Sequence, residues 1–227
     1  MKIILTGCTG FTGGATLQRC LAHPAVTSIV VLSRRPLSIT HPKLTTVLMP
    51  TFLEYRPETI AQLQGAEACI WCMGTPTSGR EVHVDFTFAA AKTFIEHLVP
   101  ELRKDGKKFR FVYVSGILCE RDQNRSLWFL SQARKMRGGV ETSLVDLERE
   151  TEGGFQAMSV RPSGIHKADT SLALKVVMPI VPSGWHIQVE EFAAAMVELA
   201  ISGDGGHFVE NDELKTRGRQ ALHSMPM

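Results

Sequence analysis

Short runs of β-branched and apolar residues alternate along this chain with longer stretches in which apolar residues recur every three or four positions. Lys2–Thr6, Ser28–Ser33, Leu44–Met49, Ala66–Met73, Phe109–Ser115 and Phe155–Arg161 read as strands, the third being the weakest. Helical spacing predicts helices over about Gly13–Ala22, Pro57–Gln64, Arg80–Arg103 and Ser126–Arg149. In the third of these, Phe86, Ala90, Phe94 and Leu98 form one stripe. Phe192, Met196, Leu199 and Ala200 stripe a late helix, and His207–Val209 adds a short strand before a final helix. Alternating strand and helix predicts an α/β protein with a doubly wound parallel sheet, helices on both faces and a small C-terminal cap. One domain is expected over residues 1–227. The single irregular stretch is Ser163–Ile187, with Pro179, Pro182, Gly184 and Trp185. It reads either as a substrate-covering segment or as a surface loop anchored by Trp185.

Composition removes several classes. The 25 Lys and Arg against 23 Asp and Glu leave a net charge of +2, which argues against a nucleic-acid partner. No apolar run reaches the roughly 18–20 residues of a membrane span. The start Met1-Lys2-Ile3-Ile4-Leu5-Thr6-Gly7 lacks the apolar region and cleavage site of a secretory signal, so a cytoplasmic protein is expected. The five cysteines, an odd count, fit reduced thiols. Cys69-Ile70-Trp71-Cys72 has the spacing of a redox or metal motif but lies in a strand, where residues three apart face opposite ways. No metal site is expected.

The chemistry concentrates after the first strand, in Thr6-Gly7-Cys8-Thr9-Gly10-Phe11-Thr12-Gly13-Gly14. Gly7 permits a tight turn, Gly10 lets backbone approach a pyrophosphate, and Gly13 allows close helix packing. The helix start, with Phe11 and Thr12, offers free N–H groups and a positive dipole to phosphates. Where the second strand ends, an NAD site wants a carboxylate; this chain has Leu32-Ser33-Arg34-Arg35-Pro36 and no acid. Ser33, Arg34 and Arg35 suit a 2′-phosphate, so NADP(H) is the expected cofactor.

With Cys72-Met73-Gly74-Thr75, Val114-Ser115-Gly116, Arg161-Pro162-Ser163-Gly164 and Phe208-Val209-Glu210-Asn211, the glycine turn resembles the atypical, extended-like short-chain dehydrogenases. The nearest subgroup is the Tat-interacting-protein-like and NmrA-like group, with its many fungal NAD(P)-binding proteins. The resemblance implies a Rossmann-type domain with the nicotinamide near Gly74, Thr75, Ser115 and Pro162. It also implies a Ser, Tyr and Lys that reduce or oxidise carbonyls, the Tyr as proton donor beside a cationic Lys. Neither Tyr55 nor Tyr113 is followed by Lys four residues on. Matching Arg137-Gly138-Gly139-Val140-Glu141 to the family's Lys-Gly-x-x-Glu-like run puts Ala133 at the Tyr position and Arg137 at the Lys position.

The catalytic candidates that remain are Ser115, to hydrogen-bond a substrate oxygen, and Arg137, to donate to ribose hydroxyls or substrate. Ser131 and Lys135 make an SxxxK pair out of the family register, expected to be solvated. Cys119, Glu120, Arg121, Asp122 and Asn124 lie in a loop bordering the site, where Glu120 or Asp122 is an acid or base only if burial raises its pKa. His83 either reaches the cleft or sits on the surface, and Asp85 supports a helix start. The expected function is an NADP(H)-dependent oxidoreductase of a small, largely apolar metabolite, as a monomer or homodimer with no membrane partner. The alternatives are a non-redox isomerase or cyclase of secondary metabolism and a non-enzymatic NADP(H)-sensing regulator.

Overall fold

In the computed structural model, residues 1–75, 77–167 and 183–224 are described. Seven parallel strands form the main sheet in the order β3-β2-β1-β4-β5-β6-β9. They are β1 (Lys2–Thr6), β2 (Ser28–Ser33), β3 (Leu44–Leu48), β4 (Ala66–Trp71), β5 (Phe109–Val114), β6 (Phe155–Arg161) and β9 (Phe208–Glu210). A separate two-stranded parallel sheet pairs β7 (Gly164–His166) with β8 (His186–Gln188). The helices are α1 (Phe11–Ala22), α2 (Pro57–Leu63), α3 (Phe86–His97), α4 (Val99–Lys104), α5 (Ser131–Glu150), α6 (Val189–Ser202) and α7 (Asn211–Ser224). This is the doubly wound order, with its switch point between β1 and β4.

Both sheet faces are buried, so the strands read as continuous apolar runs whose alternate residues enter different cores. Ile4, Val30, Leu32, Trp71, Phe111 and Phe155 pack under α3 and α5 through Phe94, Val140 and Leu144. Ile3, Leu5, Val31, Ile70, Val112 and Val160 pack under α1, α6 and α7 through Leu17, Phe192 and Leu214. Cys69 belongs to the first core and Cys72 to the second, as their spacing on a strand requires. Burial pushes both thiols up, Cys72 to about 12, so neither is a reactive thiolate.

Two helices differ from the sequence reading. The stretch 80–103 is not one helix: a π-helical turn, Glu81–Asp85, runs into α3, and the chain breaks at Leu98. Pro100 explains the break, since it lacks an N–H and its ring clashes with the preceding turn. Asp85 lies within this continuous coil, pairs with Arg80 at 3.5 Å and makes no cap hydrogen bond. The second difference is that 126–130 are not helical. Leu130 has φ +45°, a left-handed conformation that stops the helix from extending backwards. The apolar residues Trp128, Phe129 and Leu130 are exposed instead of packed, Trp128 at 96%.

A buried ion pair fixes α5 to the sheet. Glu141 is fully buried, and its carboxylate accepts two hydrogen bonds from the Arg161 guanidinium at the end of β6, one of them from Nε at 2.8 Å. Arg161 Nη1 also reaches Glu210 in β9 at 3.3 Å. Removing Arg161 leaves Glu141 buried and uncompensated, and removing Glu141 leaves the buried guanidinium with only the more distant Glu210. Glu141→Gln should therefore destabilise the fold by about 3–5 kcal/mol, whereas replacing Glu141 with Leu and Arg161 with Met together should cost far less. Urea unfolding of the two variants checks this, and equal losses would contradict it.

Candidate functional site

The glycine turn owes its shape to packing as much as to any ligand. Gly7 has φ +72°, and a Cβ there would stand 2.2 Å from the Cys72 carbonyl oxygen. A Cβ on Gly13 would stand 2.3 Å from the Gly7 carbonyl oxygen, so α1 starts directly against the turn. Gly10 differs: its φ is −96° and a Cβ would meet only the Gly7 oxygen, at 3.2 Å. Fold geometry therefore demands glycine at 7 and 13 and only weakly at 10. The first turn of α1 has no acidic residue and no side-chain cap, leaving the N–H groups of Phe11, Thr12 and Gly13 without intrahelical partners.

Above that turn, at the carboxyl ends of β1, β2 and β4, lies a polar cavity of about 250 Å³. Gly7, Gly10, Ser33, Arg34, Arg35, Gly74 and Thr75 all line it. Phe11, Thr12 and Gly13 sit in the first helical turn and are not part of its wall. Ser33 is buried, and its hydroxyl donates to the Arg35 carbonyl at 2.7 Å while accepting the Arg35 N–H, so it shapes the arginine loop. Arg35 reaches across to Thr9 Oγ1 at 3.2 Å, joining the two rims. Arg34 is exposed and makes no hydrogen bond or ion pair among the described residues.

A second cavity, of about 290 Å³, adjoins it. Its walls include Gly116, Ile117, Leu118, Cys119, Leu130, Ala133, Pro162 and Trp185, with Arg134 and Arg137 the charged groups among the described residues. Ser163, Gly164 and Trp185 belong to the described ends of the 163–187 stretch; residues 168–182 of that expected cover lie outside the described residues. Ser115 is buried beneath, its hydroxyl donating to Cys119 Sγ at 3.0 Å. Burial pushes the Cys119 thiol up, so it remains protonated.

The walls of the two cavities touch at one backbone carbonyl, that of Thr75 in the polar cavity, which Arg137 of the apolar one reaches. Thr75 O accepts from His83 Nε2 at 2.8 Å and from Arg137 Nη2 at 3.3 Å. The Nε2 contact makes that nitrogen the protonated one, because a carbonyl can only accept. Sequence reasoning left His83 between cleft and surface; it is in fact 4% exposed, carried inward by the π-helical turn. Its ring occupies the space that a Cβ on Gly74 would need, 2.5 Å from the imidazole carbon, and Gly74 itself has φ +102°. A π-helical insertion often marks a functional site, but its register is invisible in hydrophobic spacing.

The other candidates stay outside. Glu120 accepts the Asp122 N–H at 3.0 Å and pairs with Arg125, and these contacts lower its pKa, the wrong direction for an acid at neutral pH. Asp122 Oδ1 accepts the Asn124 N–H in a local turn. Lys135 donates to the Gln123 carbonyl at 2.7 Å, so it ties down the loop rather than forming a dyad with Ser131. Arg121 stacks over Phe208, 4.0 Å from the ring centre. Gly138 allows this loop to close on α5: a Cβ there would stand 1.9 Å from the Glu120 carbonyl oxygen.

Burial lowers the His83 pKa, the Thr75 carbonyl opposes that, and the Arg137 cation adds to it. With a folded pKa below the unfolded value of about 6.5, the unfolded chain binds the extra proton first. Stability should therefore be full above about pH 6.5 and fall as pH drops towards the lowered folded pKa. His83→Gln keeps a donor for Thr75 and should flatten part of that slope. Unfolding free energies measured from pH 7.5 to 5 in both proteins test this, and parallel curves would contradict it.

No family model matches the chain. A relative from Purpureocillium lilacinum, leucinostatins biosynthesis cluster protein T, is 30% identical in a 189-position alignment that covers 72% of this chain. The chain spans 64% of that relative's length. Among solved structures, a putative 2-deoxy-d-gluconate 3-dehydrogenase from Agrobacterium tumefaciens with bound NADP superposes with a TM-score of 0.64 at 16% identity. That match covers 92% of this chain and 93% of the other. The Bordetella bronchiseptica enzyme WbmF in complex with NAD+ superposes with a TM-score of 0.61 at 14% identity, covering 98% and 77%. The chain thus has the Rossmann-type fold found in NAD(P)-dependent dehydrogenases.

Proposed function

We propose that this chain is an NADP(H)-dependent oxidoreductase that transfers hydride between the cofactor and a small, largely apolar metabolite, without a Tyr–Lys pair. The observation that carries this reading is the junction of the two cavities at Thr75. Unpartnered helix N–H groups and Arg34 suit the phosphates of NADP(H), and the apolar cavity suits a metabolite. The residues at the cofactor are Gly7, Gly10, Phe11, Thr12, Gly13, Ser33, Arg34, Arg35, Gly74, Thr75 and Pro162, with Ser115 and Arg137 on the substrate side. The dinucleotides bound in the neighbours support a pyridine nucleotide, and the relative's cluster supports a substrate from secondary metabolism. When bound, the cofactor supplies or accepts the hydride. Arg137 then orients oxygen atoms and stabilises negative charge on them, and Ser115 holds the adjoining wall.

Ala133 in the wall of the apolar cavity favours a second reading. The side chain that would deliver a proton is a methyl group, and an isomerase or cyclase orienting its substrate beside a bound nucleotide needs no such delivery.

Cofactor choice is tested by thermal unfolding, since a ligand that binds only the folded state stabilises it by RT ln(1 + [L]/Kd). NADPH should raise Tm more than NADH at equal concentration, and Arg34→Ala should erase most of the difference. Gly10→Val should abolish nucleotide binding yet remain folded by circular dichroism, because a Cβ there meets the fold only at the Gly7 carbonyl oxygen, 3.2 Å away, and a small shift relieves it. Equal shifts with both nucleotides would rule out the NADP preference. The reaction type is read from the reduced-nicotinamide absorbance in a single turnover of substrate. A stoichiometric fall supports hydride transfer; full conversion at constant absorbance supports the isomerase. General acid catalysis typically contributes about 10²–10⁴-fold, so under the redox reading Ala133→Tyr should accelerate turnover.

A further inference from the structure

The apolar cavity has an unmatched electrostatic feature. Arg134 and Arg137, one turn apart on α5, both line it and both are half-buried. Neither pairs with a carboxylate among the described residues, whereas Arg80, Arg103, Arg125, Arg149, Arg161, Arg217 and Arg219 each do. Arg134 uses Nε on the Leu118 carbonyl at 2.6 Å. Arg137 makes one long bond, to Thr75 O, and its Nε is buried with no partner among the described residues. Ser163, in the same wall, also has a buried hydroxyl with no partner among them. Two half-buried guanidinium groups with no carboxylate partner among the described residues leave charged donors that an anion can complete.

The rest of the wall limits what that anion is attached to. Ile117, Leu118, Leu130 and Trp185 offer apolar surface, and Leu118, Leu130 and Trp185 are 40–54% exposed because the cavity opens between them. A volume of about 290 Å³ is at the small end of ligand cavities, which run from roughly 300 to 1,000 Å³. Planar guanidinium forks match a planar carboxylate in two-point contact, and a singly charged group demands fewer donors than a phosphate.

We propose that this cavity binds a carboxylate carried on an apolar body, with the carboxylate on Arg137 and Arg134 and the body along Leu118, Leu130 and Trp185. The inference rests on the reading of this cavity as the substrate's and adds the charge class of that substrate. Its test uses the full chain without nucleotide, titrated calorimetrically with octanoate, octanamide and octyl phosphate. Octanoate should bind about 10–100-fold tighter than the amide, the range that a hydrogen bond to a charged group adds. Octyl phosphate should bind more weakly than octanoate. Arg137→Met, checked for folding by circular dichroism, should bring octanoate to the level of the amide, and Arg137→Lys should keep part of the preference. If Arg137→Met does not fold, Arg134→Met must reduce the preference instead. Equal binding of octanoate and octanamide, tighter binding of octyl phosphate, no binding of any probe, or a preference that survives in the folded methionine variant would each overturn the proposal. NADPH binding is titrated separately. A chain that takes NADPH but shows no carboxylate preference loses this inference alone, and one that prefers octanoate but binds no nucleotide loses only the cofactor reading.

Discussion

The Glu141–Arg161 pair is the constraint on which the geometry of both cavities depends. The other contacts of α5 with the sheet are mostly apolar, through residues such as Val140 and Leu144, with Glu148 accepting the Ala157 N–H at 2.8 Å near the far end of the helix. The bidentate pair fixes how the helix is rotated about its axis and how far it slides along β6. One turn before Glu141, that rotation aims Arg137 at the Thr75 carbonyl. Gly138, between them, lets the loop after β5 lie on the helix backbone and form the next wall. Nothing about a buried ion pair guarantees net stability, because desolvation offsets much of its attraction. Its effect here is positional, which is what a site built across a helix, two strand ends and a loop requires.

The two halves of the site solve opposite solvation problems. The polar half collects donors that the fold leaves unsatisfied: helix-start N–H groups and an unpaired arginine on a loop that Ser33 holds in place. Its walls are glycine because backbone must come within contact distance of backbone. The apolar half leaves Arg137 half-buried and keeps the Cys119 thiol neutral. His83 and Arg137 share one acceptor between these halves. The imidazole is there as a neutral donor, since a second cation beside the guanidinium in a buried place is disfavoured.

Most of the fold was legible in the sequence because its strands are buried on both faces and its helices carry one apolar stripe. The six strands read from the pattern agree with the structure to within two residues, and the uncertain His207–Val209 strand is the sheet edge at Phe208–Glu210. What failed is instructive. Ser126–Leu130 contains an apolar run that imitates a helical stripe, yet those side chains enter neither core and Leu130 turns left-handed. Periodicity records which residues are apolar and not whether a core exists to receive them. For the site, glycine spacing identifies a turn because backbone conformation is encoded locally. The burial of His83 and the lack of carboxylate partners for Arg134 and Arg137 among the described residues are properties of distant segments brought together, and no local pattern carries them. The one available signal for His83 was its place just after the β4 exit, where the topology converges.

Under the proposed function, Ala133 and Arg137 stand where the resemblance to short-chain dehydrogenases places a tyrosine and a lysine, and this changes what the site can ask of its substrate. A tyrosine beside a cation gives up a proton near neutral pH, but a guanidinium does not. In the proposed function, Arg137 would therefore stabilise a developing oxyanion electrostatically while leaving its protonation to water or to the substrate itself. If the redox reading holds, the alkoxide made by hydride arrival is held as an ion pair until water reaches it, and chemistry slows to the pace of that access. If the isomerase reading holds, the same cation stabilises an enolate or alkoxide that the substrate's own rearrangement consumes, and no external proton is needed. The mouth of the apolar cavity, formed by half-exposed Leu130 and Trp185, then controls the reaction in opposite ways. Opening it to water supplies the proton in the first case and quenches the intermediate in the second.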